Sequence, residues 1–102
     1  MNAAPVAPPT VTIDRTVIDA LLPDLAGHDR SPAAFLVYLV LLTASSRGRI
    51  AISHAQLAER AGLSRRAVQN ATALLQRRAL IEAVRRGATG VSEYRVLQPW
   101  RR

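Results

Sequence analysis

LAERAGLSRRAVQNATALLQRR, residues 57–78, is a helix-forming stretch broken once, at Gly62. Glycine reaches positive φ without a Cβ clash and so stops a helix at a defined place. Two residues on, Ser64 offers a hydroxyl to an orphan backbone N–H, so a second helix starts at once. Leu63 before that cap and Val68 four after it have the spacing of a hydrophobic staple. Ala58 is small where the first helix must approach the second, and Val68 is placed to pack back between them. Leu57, Ala61, Leu63, Ala71 and Leu75 complete the apolar contact set. Upstream, Ser53-His54-Ala55-Gln56 fits a capping box. The spacing predicts two short helices, ending near Ala61 and near Arg78 and joined by a tight glycine turn, which is a helix-turn-helix unit.

At about 100° per residue, Val68, Ala71, Thr72 and Leu75 gather on one side of the second helix. Arg66, Gln69, Asn70, Ala73 and Arg77 gather opposite, with Arg65 and Gln76 at the flanks. The outer set suits base edges in a DNA major groove. Arg pairs with guanine and Asn or Gln with adenine through two hydrogen bonds, and a small Ala73 lets the helix lie close. These five are the expected base-contacting residues. Ser53, Ser64, Arg65 and Gln76 are expected on the DNA backbone, Ser64 with the help of its helix N-terminus. The alternative is an ordinary solvated face. Against it, no acid lies between Ser64 and Arg78, whereas a solvated helix gains from mixed signs at i,i+4.

Downstream, residues 81–86 and 91–97 read as two strands around Gly87-Ala88-Thr89-Gly90, hence a β-hairpin with Tyr94 and Val96 on one face. Arg85, Arg86 and Thr89 near its tip are expected to reach DNA backbone as a basic wing; a charged tip that discourages edge pairing is the other reading. Trp100 is expected on the domain rather than on a base, and Arg101 and Arg102 on phosphate or simply frayed.

Upstream, Ile50-Ala51-Ile52 allows only a very short strand. Ser31-Pro32 is a strong helix start, and residues 35–42 are all apolar, so that helix is central to the core or serves a dimer interface. Val11-Thr12-Ile13 alternates like a short strand. Asp14 then looks like a cap for a helix that buries Val17, Ile18, Leu21 and Leu22 and ends at Pro23, with residues 27–30 as a loop. The expected organisation is a disordered Ala/Pro-rich tail over residues 1–10, one domain over 11–97 and a basic tail over 98–102.

All fourteen basic residues are arginine, and the chain carries +7. Residues 1–46 hold Arg15 and Arg30 against Asp14, Asp19, Asp24 and Asp29, a balance of −2. Residues 47–102 hold twelve arginines against Glu59, Glu82 and Glu93, a balance of +9. Such asymmetry suggests a polyanion for one face, or else a coding bias toward arginine. The chain has no cysteine, and His28 and His54 sit in different elements, so no metal site is expected. No glycine-rich nucleotide loop and no nucleophile–base set are visible, so the chain is not expected to be an enzyme, and no cofactor is implied. No apolar run approaches the roughly 20 residues of a membrane span, and a cytoplasmic, nucleoid-associated protein is expected.

Ser31-Pro32-Ala33-Ala34-Phe35, Tyr38-Leu39, Gly48-Arg49-Ile50, the run from Leu57 to Arg66, Val68-Gln69 and Leu80-Ile81 together carry a resemblance. Over roughly residues 12–97 the chain resembles the bacterial winged helix-turn-helix families, closest to small domains of phage and plasmid replication initiators and related regulators. The resemblance implies a mainly α winged helix-turn-helix, with a three-helix core, a β-hairpin wing at residues 85–91 and an extra N-terminal strand and helix. It implies double-stranded DNA as the partner, with the helix from Ser64 in the major groove, and binding as a homodimer on palindromic sites or as tandem domains. No small-molecule effector is evident. The expected role is a transcriptional repressor occupying operator DNA; replication or partition accessory proteins and protein-interaction modules share the scaffold. One departure is Ala79, where such domains place glycine after the recognition helix; a left-handed alanine costs on the order of 1 kcal/mol.

Overall fold

The computed structural model of the chain describes residues 10–86 and 91–101, and of Arg85 and Arg86 the backbone alone. Two π-helical segments, Val17–Leu21 and Pro23–His28, lead into α1 (Pro32–Ala44), β1 (Arg49–Ser53), α2 (His54–Ala61), α3 (Arg65–Arg77), β2 (Ile81–Arg86) and β3 (Val91–Val96). The strands form one antiparallel sheet in the order β1-β3-β2. The fold is a winged helix-turn-helix, mainly α, with the hairpin β2–β3 as the wing and β1 as a third strand beside it.

The capping chemistry legible in the sequence sets the helix ends. Ser31 Oγ accepts from the Ala34 N–H at 3.1 Å, with Pro32 in the first turn of α1. Ser53 and Gln56 complete a reciprocal capping box at the start of α2. Gly62 takes φ 71°, and the N–H groups of Gly62 and Leu63 both converge on the Ala58 carbonyl. Ser64 Oγ accepts from the Ala67 N–H at 3.0 Å and opens α3. A single apolar core follows. Val37, Tyr38 and Leu41 of α1 meet Leu57 of α2, Val68, Ala71 and Leu75 of α3, and Ile81, Tyr94 and Val96 of the sheet. The Tyr38 hydroxyl donates to the Leu97 carbonyl at 2.8 Å, which satisfies the one polar atom that α1 brings to the centre.

Residues before α1 depart from expectation. Val11-Thr12-Ile13 form no strand and pair with none of the three; they line a cavity together with Gly48 and Val96. Asp14 does not cap by its side chain, because its carboxylate is engaged by Trp100 and Arg101. The helix does not end at Pro23, and Gly27 and His28 are helical rather than loop. Proline lacks an N–H and crowds the carbonyl four residues back. The wider i→i+5 winding, seen in the bond from the Leu22 N–H to the Val17 carbonyl, makes room for the ring, and the helix continues to His28.

At the exit of α3, Ala79 adopts φ 57°. The Leu80 N–H reaches the Leu75 carbonyl at 2.9 Å and the Ala79 N–H the Gln76 carbonyl at 3.1 Å. This is a Schellman ending with alanine in the position that favours glycine. The departure from the glycine pattern therefore leaves the left-handed exit conformation in place.

Candidate nucleic-acid interface

Core packing of one side of α3 turns the other side outward. Val68, Ala71, Thr72 and Leu75 are buried, and the Thr72 hydroxyl is satisfied by the Gln69 carbonyl at 3.1 Å. Arg65, Arg66, Gln69, Asn70, Ala73, Gln76 and Arg77 are all exposed. The structure thus brings the five residues expected at bases onto one continuous helix face. No side-chain hydrogen bond or ion pair engages Arg65, Arg66, Gln69, Asn70 or Arg77 among the described residues. Their donors and acceptors are available to a ligand.

The residues expected on the DNA backbone divide. Ser64 is exposed at the start of α3; its oxygen holds the cap, and its hydroxyl proton remains free to donate. Ser53 is half-buried in the capping box of α2. Its neighbour His54 is turned inward, with Nε2 3.2 Å from the Tyr94 hydroxyl. Arg85 and Arg86 stand opposite Glu93 and Ser92 in the β2–β3 pairing, beyond a bulge at Val84 that shifts the register. Their side chains, and Thr89, lie outside the described residues, as does Arg102.

Several arginines that the sequence leaves as free charge are committed inside the protein. Arg49 pairs with Glu93 and Arg95 with Glu82, each at 3.4 Å, on the outer face of the sheet. Arg101 grips both oxygens of Asp14 at 2.6 and 2.8 Å, and the Trp100 indole N–H donates to the same carboxylate at 2.9 Å. The Arg101 hydrogen bond, with that of Trp100, holds the Asp14 carboxyl down to about 2. Trp100 therefore packs on the domain, and Arg101 is not a loose phosphate ligand. Arg78 at the end of α3 is held between Asp24 and Asp29. Asp24 first, then Asp29, raise the Arg78 guanidinium above its ordinary value. A hydrogen bond from His28 and the charge of Arg78 hold the Asp29 carboxyl below the usual range. No local pattern signals the contacts of Arg78 and Arg101, because the acids lie 49 to 87 residues from the arginines they hold.

The arrangement is a basic, acid-free helix face beside a β-hairpin. Among the described residues, no helix is long and apolar enough to cross a membrane. No curated protein and no solved structure matches the chain. The Crp-like helix-turn-helix domain matches residues 33–99, from the first turn of α1 to just beyond β3. The chain belongs to this family, which supports DNA binding.

Proposed function

We propose that the chain is a sequence-specific regulator of transcription that represses by occupying operator DNA. The observation that carries this reading is the outer face of α3, where Arg66, Gln69, Asn70 and Arg77 are exposed together with no acid and no internal partner. In this reading α3 enters the major groove. Arg66, Gln69, Asn70, Ala73 and Arg77 meet base edges, and Ser53, Ser64, Arg65 and Gln76 meet the backbone. The wing, through Arg85, Arg86 and Thr89, lies on backbone or minor groove.

A single helix-turn-helix buries little surface, so the chain binds as a homodimer on a two-fold site, with paired α3 helices roughly 34–36 Å apart. The dimer contact falls on α1 and the preceding helical segment, where Leu36 and Ile18 are large apolar side chains left exposed. Sedimentation that finds only monomer, with and without DNA, removes the dimer.

Binding to duplex DNA over a salt series tests the core of the reading. Several arginine–phosphate contacts make affinity fall by orders of magnitude between about 50 and 200 mM salt. A flat response would instead point to a protein partner. Genomic footprinting of the native protein then separates roles. Occupied promoters support the repressor, whereas occupancy of an origin or repeat array assigns the protein to phage or plasmid replication or partition, as the initiator-like resemblance of the sequence implies.

A further inference from the structure

A reading helix is only as well aimed as its two ends are held. The N-terminal end of α3 is fixed by the Gly62 turn and the Ser64 cap. The C-terminal end leaves through the left-handed Ala79, a conformation that works against the ending it makes. The residue just before it, Arg78, is half-buried and reaches away from the outer face to the N-terminal helical segment. Its Nη2 donates to Asp24 Oδ2 and its Nη1 to Asp29 Oδ2.

The two carboxylates are themselves set by one helical turn, since the Asp29 N–H donates to the Asp24 carbonyl at 2.9 Å. His28 Nδ1 lies 3.2 Å from the other Asp29 oxygen. A planar guanidinium presents two nitrogens in fixed directions and holds both acids at once, which a compact ammonium does not. With two carboxylates on it, Arg78 offers no net positive charge to a phosphate. Asp24 and Asp29 also lie outside residues 33–99, the part that the helix-turn-helix family matches.

We propose that Arg78 is a positioning residue for DNA recognition. Bridged to Asp24 and Asp29, it ties the C-terminal end of α3 to the N-terminal helical segment and so sets the angle at which Arg66, Gln69, Asn70 and Arg77 meet the bases, without touching DNA. The inference rests on α3 being the helix that reads DNA.

Arg78→Lys tests it, because the charge is kept and the span is lost. The probes are the duplex most enriched by the native chain from a random-sequence pool and a shuffled duplex of the same composition. The ratio of the two affinities is expected to fall about fivefold, the lower end of what one two-bond base contact discriminates. Affinity for the shuffled duplex and its salt slope stay at the parent values. In the DNA-free protein, backbone amide resonances from Asn70 to Arg77 shift. Asp29→Asn, which removes one of the two carboxylates and leaves Arg78 on Asp24, moves the same readouts by less and serves if Arg78→Lys does not fold.

A parent-like affinity ratio in the folded variants overturns the inference, as does an α3 amide spectrum that stays unchanged. A clasp that merely stabilised the fold would lower the melting temperature and leave the ratio intact. A native chain that binds both duplexes equally would instead remove the reading of DNA by α3, and the amide shifts would still report whether the clasp orients the helix.

Discussion

Arg77 and Arg78 are neighbours in the sequence and opposites in setting. Arg77 ends the outer face of α3, exposed and without an acid. Arg78, about 100° further round, turns inward and is held by Asp24 and Asp29. The difference teaches that the charge a polyanion meets is not the charge counted along the chain. Arg49, Arg78, Arg95 and Arg101 are each answered by an acid of the same molecule. The arginines on the outer face of α3 are not, so the field of the basic half concentrates there.

The largest effect comes from removing the ground on which both neighbours stand. Leu75→Ala empties a fully buried position under α3 and is expected to cost about 2–5 kcal/mol, read as a lower midpoint in chemical unfolding. Next, Arg66→Ala or Gln69→Ala is expected to reduce discrimination between the preferred site and random DNA by about 1–3 kcal/mol each. Arg86→Ala, by contrast, should weaken all DNA alike and lower the salt slope by about 1. If both kinds of change had the same effect, the division into base-reading and backbone-holding residues would fall.

A thermal comparison sharpens the contrast between the neighbours. Arg77→Ala is expected to stay within about 0.5 kcal/mol of the parent, as surface substitutions do. Arg78→Ala leaves two carboxylates facing each other and should melt at a clearly lower temperature. Equal melting temperatures would show that the two arginines differ only in appearance.

The smallest effects are read by pH. The Asp14 carboxyl is lowered to about 2 in the folded chain from an ordinary 3.8, and Asp29 is lowered as well. Groups held below their unfolded values stabilise the fold above those values and lose that stabilisation as pH falls. Denaturant unfolding should therefore show stability flat at neutral pH and declining between about 4 and 2. Burial pushes the Tyr38 hydroxyl from 10.0 up to about 12, so the opposite sign applies at the alkaline end. Stability is whole below about pH 10 and declines through about 12. Tyr38→Phe should remove much of the alkaline decline.

The helix-turn-helix was legible because its determinants are local. The capping box at Ser53, the stop at Gly62 and the restart at Ser64 are short-range chemistry, and the period of α3 separates buried from exposed residues without any knowledge of partners. The outer face of the candidate site was readable for the same reason. The N-terminal region was not. Pro23 is a strong stop signal, yet a wider helical turn absorbs it. Asp14 has the look of a cap until Trp100 and Arg101 arrive from the other end of the chain. The bend of Arg78 toward Asp24 and Asp29 depends on how the N-terminal segment lies against α1, which no local pattern encodes.

The Asp14 contact with Trp100 and Arg101 has a topological consequence. It places residue 14 and residue 101 side by side, so the described chain is nearly a closed loop. Anything joined before residue 10 or after residue 101 leaves from one shared patch, and a linker across it would allow the chain to be reopened elsewhere. It also imposes an order in time. During synthesis Asp14 emerges long before its partners, so its carboxylate is engaged only after the tail is made.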